Sequence, residues 1–409
     1  MKAFSLTHVG NSDITALEIQ ELLNVKSKSF ESGINLFDLP KDKLTDLAKF
    51  CYSAQSIFSA GLLFQNFSFT DLADLKSKLD FGKFPKNLFF NKTFAVSCNR
   101  IGSHDFTSQD IGAQVGEFIF NELKKNKVES KVKLSDPDIP IFVYIFDNEL
   151  YLGLNFIGFD VSKRDYRIFN HLDSIKGTLA YSLARFTGLT PSVKEVFKPE
   201  SKLKKNKSKI QKTKMVVLDP FCASGTTGIE SACFLSSYSV NFFAKPKFAF
   251  QKFNLFENVD CNSFFEEMDS EKISPANLTS EIFVFDENQK NVRAAEKNAK
   301  LANVNKILNF SRTEVEWLDT KFEEKSVDFI ISNPPRLCRT FDQADFDKLY
   351  SEFFYVSKHV LKSKGKIGFM LKTKNALKDI AEKNDFKMTA SKIVFQGKDP
   401  IHFVVFEKV

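Results

Sequence analysis

Four short stretches carry side chains able to hold a ligand and act on it, and each stands at the end of an apolar run. "VLDPFCASGTTGIE" places Asp219 ahead of a loop of small residues, and its composition predicts a helix starting near Thr226. Small residues let backbone approach a ligand closely, and a helix N-terminus presents N–H groups that have no partner within the helix. Asp219, Phe221, Cys222, Ala223, Ser224, Gly225 and Thr226 are therefore candidate binding residues. The stretch is not the GxGxxG of dinucleotide binders, because Gly225 and Gly228 are its only glycines. Asp286, followed by Glu287, closes "IFVFD"; a carboxylate after the second strand of a doubly wound sheet can accept from a ribose diol. Glu314 follows "ILNFSRT", where it could accept from an adenine amino group. The fourth stretch, "DFIISNPPRLCRT" (328–340), ends an apolar run on Asn333, Pro334 and Pro335. Proline fixes φ and drives the preceding residue to an extended conformation, so these carbonyls point in set directions. A lone Asn-Pro most often marks a strand-ending turn. Four such stretches in order on one repeating pattern make that reading insufficient.

The pattern that must position them is strand, loop, helix, repeated. "MVVLD", "EIFVFD", "KILNF", "VDFIIS", "GKIGFML" and "IHFVVFE" read as strands, several of them near-continuous apolar runs, as in parallel sheets buried on both faces. "NQKNVRAAEKNAKLA" reads as a helix. In a doubly wound α/β domain of this kind ligands bind beyond the carboxyl ends of the strands, where all four stretches fall. The preceding half alternates differently. "KAFSLTH" and "TFAVSCN" read as strands, "DITALEIQELLN" and residues 108–125 as helices, and "IFVYIF" and "LYLGLNF", separated by "DNE", as a hairpin. This half is expected to be α+β, with small sheets and helices on one face.

Composition bounds the class. A chain of 409 residues, 43% hydrophobic and 27% charged, is expected to be a soluble protein of two or three domains. No apolar run reaches membrane-spanning length and the first residues lack a signal-peptide core, which predicts no membrane partner and a cytoplasmic location. Six scattered cysteines without a CxxC pair argue against a zinc site and a disulfide framework, so no metal is expected. Residues 198–214 hold eight Lys and one Glu, which accounts for the whole formal charge of +7. Such a run is commonly a solvated linker, and a polyanion is the alternative partner.

Together, the four stretches resemble the class I methyltransferases that use S-adenosylmethionine, and within them the group that methylates exocyclic amino groups. Asn333-Pro334-Pro335 is similar to that group's amino-methyltransferase motif, and "DPFCASGTTGIE" resembles the DPxCGSGT loop of RNA methylases carrying a THUMP domain. "RDYRIFNHLDSIKGTLAYSLARFTGL" (164–189) looks like the family's lead into its catalytic domain. "NRIGSHDFTSQDIGAQVGEFI", with the segment from "KVKLSDPDIP" to "SKRDYR", looks like a THUMP domain of archaeal type. The resemblance implies a ferredoxin-like domain over 1–70, THUMP over 71–170, and a Rossmann-like methyltransferase domain over 171–409 with the basic linker 198–214. It implies S-adenosylmethionine as cofactor, held by Asp219, the 221–226 loop, Asp286, Glu287, Glu314 and Asn333. Asn333, Pro334, Pro335 and Arg336 would be catalytic. RNA would meet Arg100, Lys163, Arg164, Arg167, Lys202, Lys204, Lys205, Lys207 and Lys209. The family usually has Gly at Ala223 and an aromatic at Arg336; a guanidinium can itself stack on a base, and Phe341 is a second candidate for that role. The implied reaction is methylation of a guanine 2-amino group in tRNA, in or near the acceptor stem, by a monomer. The alternatives are large-subunit rRNA, which the segment 247–268 favours by resembling an insertion of bacterial rRNA methylases, and a non-catalytic RNA-binding module.

Overall fold

The computed structural model describes residues 1–40, 42–171, 174–190, 214–339 and 341–409. They form two compact units: Met1–Val161 with Phe243–Ser270, and Ser162–Phe242 with Glu271–Val409.

The first unit is built on one sheet of eight strands, ordered β2-β3-β1-β4-β8-β7-β5-β6. These are β1 (Lys2–Leu6), β2 (Ser27–Ser29), β3 (Ile34–Asp38), β4 (Ser59–Ser68), β5 (Lys92–Ile101), β6 (Ser130–Val132), β7 (Ile139–Phe146) and β8 (Glu149–Asn155). The expectation of small sheets is corrected here. β4 pairs antiparallel with β8 from Gly61↔Asn155 to Ser68↔Glu149, so the stretches on either side of residue 70 share one continuous sheet. Strand period explains how both faces become apolar: Ile141, Val143 and Ile145 join one core, while Phe142 and Tyr144 join a second with Phe4 and Tyr151. The helix Ser108–Lys125 starts where its sequence predicts, with Thr107 and Asp110 forming a capping box, and buries Ile111, Val115, Ile119 and Leu123 in the larger core.

Residues 243–270 also fold into this core, although they lie between two stretches of the other unit. Phe248, Phe250, Phe253, Phe256, Phe264 and Phe265 are all buried in it. Phe253 meets Phe156 at 5.3 Å between ring centres, Phe248 meets Phe159 at 5.2 Å, and Phe265 meets Tyr52 at 5.0 Å. The Tyr52 hydroxyl donates to Asp269 at 2.8 Å. The segment 171–409 is therefore not one continuous body: this part of it completes the core of the first unit.

The second unit holds a seven-stranded sheet ordered β11-β10-β9-β12-β13-β15-β14. Its strands are β9 (Met215–Asp219), β10 (Ser280–Asp286), β11 (Leu308–Arg312), β12 (Val327–Ser332), β13 (Leu361–Leu371), β14 (Phe386–Gln396) and β15 (Asp399–Lys408). β9 to β13 run parallel, and β15 and β14 close the edge antiparallel. The strand order reverses between β9 and β12, which is where a doubly wound sheet opens a crevice at its carboxyl edge.

Candidate active site

β9 and β12 lie side by side, with Phe329 opposite Val217 and Ile330 opposite Leu218. Their carboxyl ends therefore bring Asp219 and Asn333 to one place. Ser332, the last residue of β12, donates its hydroxyl to Asp219 Oδ1 at 2.5 Å, so the two sequence motifs are directly bonded. On the far side of the tripeptide, the buried Tyr350 hydroxyl donates to the Pro335 carbonyl. Beyond it, Cys338 and Phe341 exchange backbone bonds of 3.1 and 3.2 Å that close a tight turn. Asn333-Pro334-Pro335 is thus held from both ends by side chains that sequence reading did not single out.

The loop after β9 is pinned at successive residues. Cys222 N–H donates to the Phe285 carbonyl at 2.9 Å, and Ala223 N–H donates to Asp286 Oδ2 at 2.9 Å. Ala223 has φ +47° and Gly225 has φ +82°. The left-handed region costs a residue with a Cβ about 1–2 kcal/mol, which is why glycine suits position 223 better than the alanine present. At Gly225 a Cβ would lie 2.7 Å from the Ala295 Cβ, so neither its conformation nor its packing admits another residue. The helix Thr226–Leu235 follows with no side-chain cap. Thr226 is buried and its Oγ1 has no hydrogen-bond partner. An uncapped helix end beside a buried hydroxyl that no protein group satisfies suits a polar ligand.

Thr226 lines a recess together with Phe221, Cys222, Ala223, Thr227, Asn333, Ser174 and Ile175. The recess is narrow, about 10 Å³. A far larger cavity, about 950 Å³, lies in the first unit beside β5 and the helix Ser108–Lys125, but none of the predicted cofactor or catalytic residues lines it. The chemistry of the lining, not its size, marks the site. Ser174, Ile175 and Thr227 are additions to the sequence-derived set. Ser174 and Ile175 fall within the segment 164–189, but nothing local in that sequence distinguishes these two residues.

Asp286, at the end of β10, accepts from Ala223 N–H, Asn288 N–H and Asn291 Nδ2, each at 2.9 Å. A carboxylate offers about four acceptor positions, so one remains for a ligand hydroxyl. Burial, then the charges of Asp286 and Glu314, push the Glu287 carboxyl upward, which gathers three acids at the ends of β10 and β11. Glu314 itself is exposed.

Burial is also the first cause that raises Asp219, to about 7, with the charge of Asp286 adding and the Ser332 hydroxyl and Phe221 N–H opposing. A carboxyl raised in the folded state keeps its proton between about pH 4 and pH 7 while the unfolded chain has lost it. Folding stability contributed here therefore falls as pH rises through that window and is level above it. Asp219→Asn removes the titration and keeps an acceptor for Ser332. Relative to this variant, wild type is expected to lose up to about 4 kcal/mol between pH 4 and pH 8. Urea midpoints of the two proteins at each pH measure it, and a constant difference would mean that the carboxyl is ionised throughout.

The candidate RNA contacts divide. Lys163 is exposed. Arg164 is corrected: its side chain is fully buried and ion-paired to Glu230, Nε to Oε1 at 2.8 Å, so it braces the fold. Arg167 is half-buried, with its Nε buried and unpartnered. Arg100 is half-buried, its Nη1 3.1 Å from His104 Nδ1 and its guanidinium 5.9 Å from the Phe106 ring centre. Lys202, Lys204, Lys205, Lys207 and Lys209 lie outside the described residues. Arg336 is exposed beside the tripeptide, whereas Phe341 is half-buried and packs 6.2 Å from Phe346.

Comparison with known proteins adds to this geometry. Residues 206–400 match the RMKL-like methyltransferase domain family (UPF0020), and residues 69–155 match the THUMP domain family. The chain is 27% identical over 378 residues to a tRNA (guanine(6)-N2)-methyltransferase of Methanocaldococcus jannaschii, covering 91% of this chain and 88% of the relative. It is 28% identical over 251 residues to the ribosomal RNA large subunit methyltransferase K/L of Buchnera aphidicola, covering 60% of this chain and 32% of the relative. A solved structure of SMU.472 complexed with SAH shares the fold, with TM-score 0.76 and 17% identity over 100% of this chain and 98% of that one. Among the described residues no helix is long and apolar enough to cross a membrane.

Proposed function

We propose that this chain, which joins a THUMP domain to an RMKL-like methyltransferase domain, methylates the 2-amino group of a guanine in tRNA, using S-adenosylmethionine, and that the guanine is the sixth residue of the acceptor stem. The observation that carries the reading is the bonded pair of motifs at the switch point, Asp219 to Ser332 and on to Asn333, in a chain that aligns over 91% of its length with a tRNA methyltransferase. The rRNA relative covers less of the chain, and this chain spans only about a third of that protein's length.

The residues present fit the cofactor: an uncapped helix N-terminus, an orphaned Thr226 hydroxyl, and acids at the ends of β10 and β11. When bound, S-adenosylmethionine supplies an electrophilic sulfonium methyl. The chain's own task is to make the amine nucleophilic. A guanine 2-amino lone pair is delocalised into the ring, and acceptors on its two N–H groups favour the pyramidal form that releases it. Asn333 Oδ1 and the Pro334 carbonyl take those two bonds. Ser332 and Tyr350 hold the tripeptide from either end, so the acceptors need no reorganisation when charge develops on the amine. The amine's displaced proton leaves to water after transfer. Arg336, exposed beside the tripeptide, stacks on the base.

An unmodified tRNA transcript incubated with the protein and S-adenosylmethionine is expected to gain N2-methylguanosine at position 6, read by nucleoside mass spectrometry and nuclease mapping. A transcript with adenine at that position stays unmethylated. Methyl transfer confined to large-subunit rRNA, or to no RNA, overturns the reading.

A further inference from the structure

Asn298 makes no contact with the reacting groups described above, yet it is bonded to the loop that holds the cofactor. It lies in the helix Gln289–Leu301 and is fully buried. Its Nδ2 donates to the Phe169 carbonyl at 2.9 Å and to the Ser224 carbonyl at 3.0 Å, while its Oδ1 accepts from Phe169 N–H at 3.0 Å. Both amide protons and the amide oxygen are thus engaged. Toward Phe169 the side chain behaves like the backbone of a neighbouring strand, taking and giving one bond. Toward Ser224 it reaches between Ala223 and Gly225, the two loop residues at positive φ.

The segment around Phe169 is tied to the same place by other bonds. Arg164 and Tyr166 both bond Glu230, in the helix that follows the loop, at 2.8 Å, and the Ser174 and Ser224 hydroxyls lie 2.5 Å apart. Ser174 and Ile175 then form one wall of the recess. Lys297, next to Asn298, holds its ammonium 4.7 Å from the Phe169 ring centre. One amide therefore joins the loop floor of the recess to the segment that supplies its wall. Removing it leaves three backbone groups without partners, one of them in the middle of a loop whose conformation is locally disfavoured.

We propose that Asn298 is a positioning residue for cofactor binding, holding Ser224 and the Ser174–Ile175 wall in the arrangement that receives S-adenosylmethionine. This rests on the reading that the 221–226 loop is the cofactor site. The loss of one such bond is worth about tenfold in affinity. Asn298→Ala is therefore expected to weaken S-adenosylhomocysteine binding by calorimetry, and to raise KM for S-adenosylmethionine, at least about tenfold. With the cofactor saturating, kcat should stay within about threefold of wild type, and KM for tRNA should not move, because the binding cost is already met. If the folded variant binds S-adenosylhomocysteine as wild type does and only its Tm falls, Asn298 is merely structural and the proposal is wrong. Ser174→Ala removes the outer bond alone and serves if Asn298→Ala fails to fold: unchanged affinity there overturns the proposal, and weaker affinity in a folded protein supports it. Thr226→Val separates the two levels. If it too leaves affinity untouched, the cofactor site itself is misplaced and the proposal falls with it. If it weakens binding while Asn298→Ala does not, the loop reading stands and only the positioning role is lost.

Discussion

Asn333→Ala is expected to lower kcat for methyl transfer about a hundred- to a thousandfold, the usual consequence of removing one preorganised partner of developing charge. The cause is specific. Asn333 borders the recess, and its side-chain oxygen is one of only two acceptors proposed for the amine. The backbone around it is held by Ser332 on Asp219 and by Tyr350 on Pro335, neither of which the substitution touches. The Tm should therefore stay close to wild type, and the affinity for S-adenosylhomocysteine, which Asn333 shares with the loop and the acids, should fall far less than kcat. Single-turnover rates with tRNA give the measurement. Turnover near the wild-type rate would reduce Asn333 to a turn former and remove the amine-activation role.

Phe250→Ala is expected to cost the first unit about 3–5 kcal/mol, a large share of the 5–15 kcal/mol that stabilises an ordinary domain. Phe250 is fully buried, with Phe256, Phe248 and Phe264 at 5.3, 5.4 and 5.8 Å between ring centres. Its N–H and that of Ala249 donate to the carbonyls of Phe156 and Ile157, both at 3.0 Å, so the segment is joined by backbone as well as by packing. Trp317 is the only tryptophan in the chain and lies in the other unit, so its emission reports that unit separately. Limited proteolysis within residues 1–161 should become easier in urea at lower concentrations, while the tryptophan transition keeps its midpoint. If the tryptophan transition shifts as far as the proteolysis does, the two units unfold as one and 243–270 is not a private part of the first core.

The strand ends that carry the site were readable because their signals are local. A parallel strand buried on both faces is a continuous apolar run, so β9, β10 and β12 announce both themselves and the residue at which each stops: Asp219, Asp286 and, one residue on, Asn333. The backbone consequences of proline and of a small-residue loop are likewise set within a few residues. β14 carries no such signal: "FKMTASKIVFQ" is an edge strand buried at only a few positions, and its mixed pattern has no clear period.

What tertiary structure alone decided are pairings between residues far apart in the chain. Arg164 looks like a surface cation until Glu230, 66 residues later, is placed against it in the interior. The six phenylalanines of 248–265 look like a bulky insertion until the sheet of the first unit offers them a core. β4 and β8 join two apparent domains through bonds that span more than 80 residues. The positive φ at Ala223 is held by Asp286 from a neighbouring strand, not by any preference of alanine. Propensity and periodicity act over one or two turns of chain. Burial of a charge, or of a ring, depends on which distant surface arrives to cover it, and the residue's own neighbours in sequence carry no record of that.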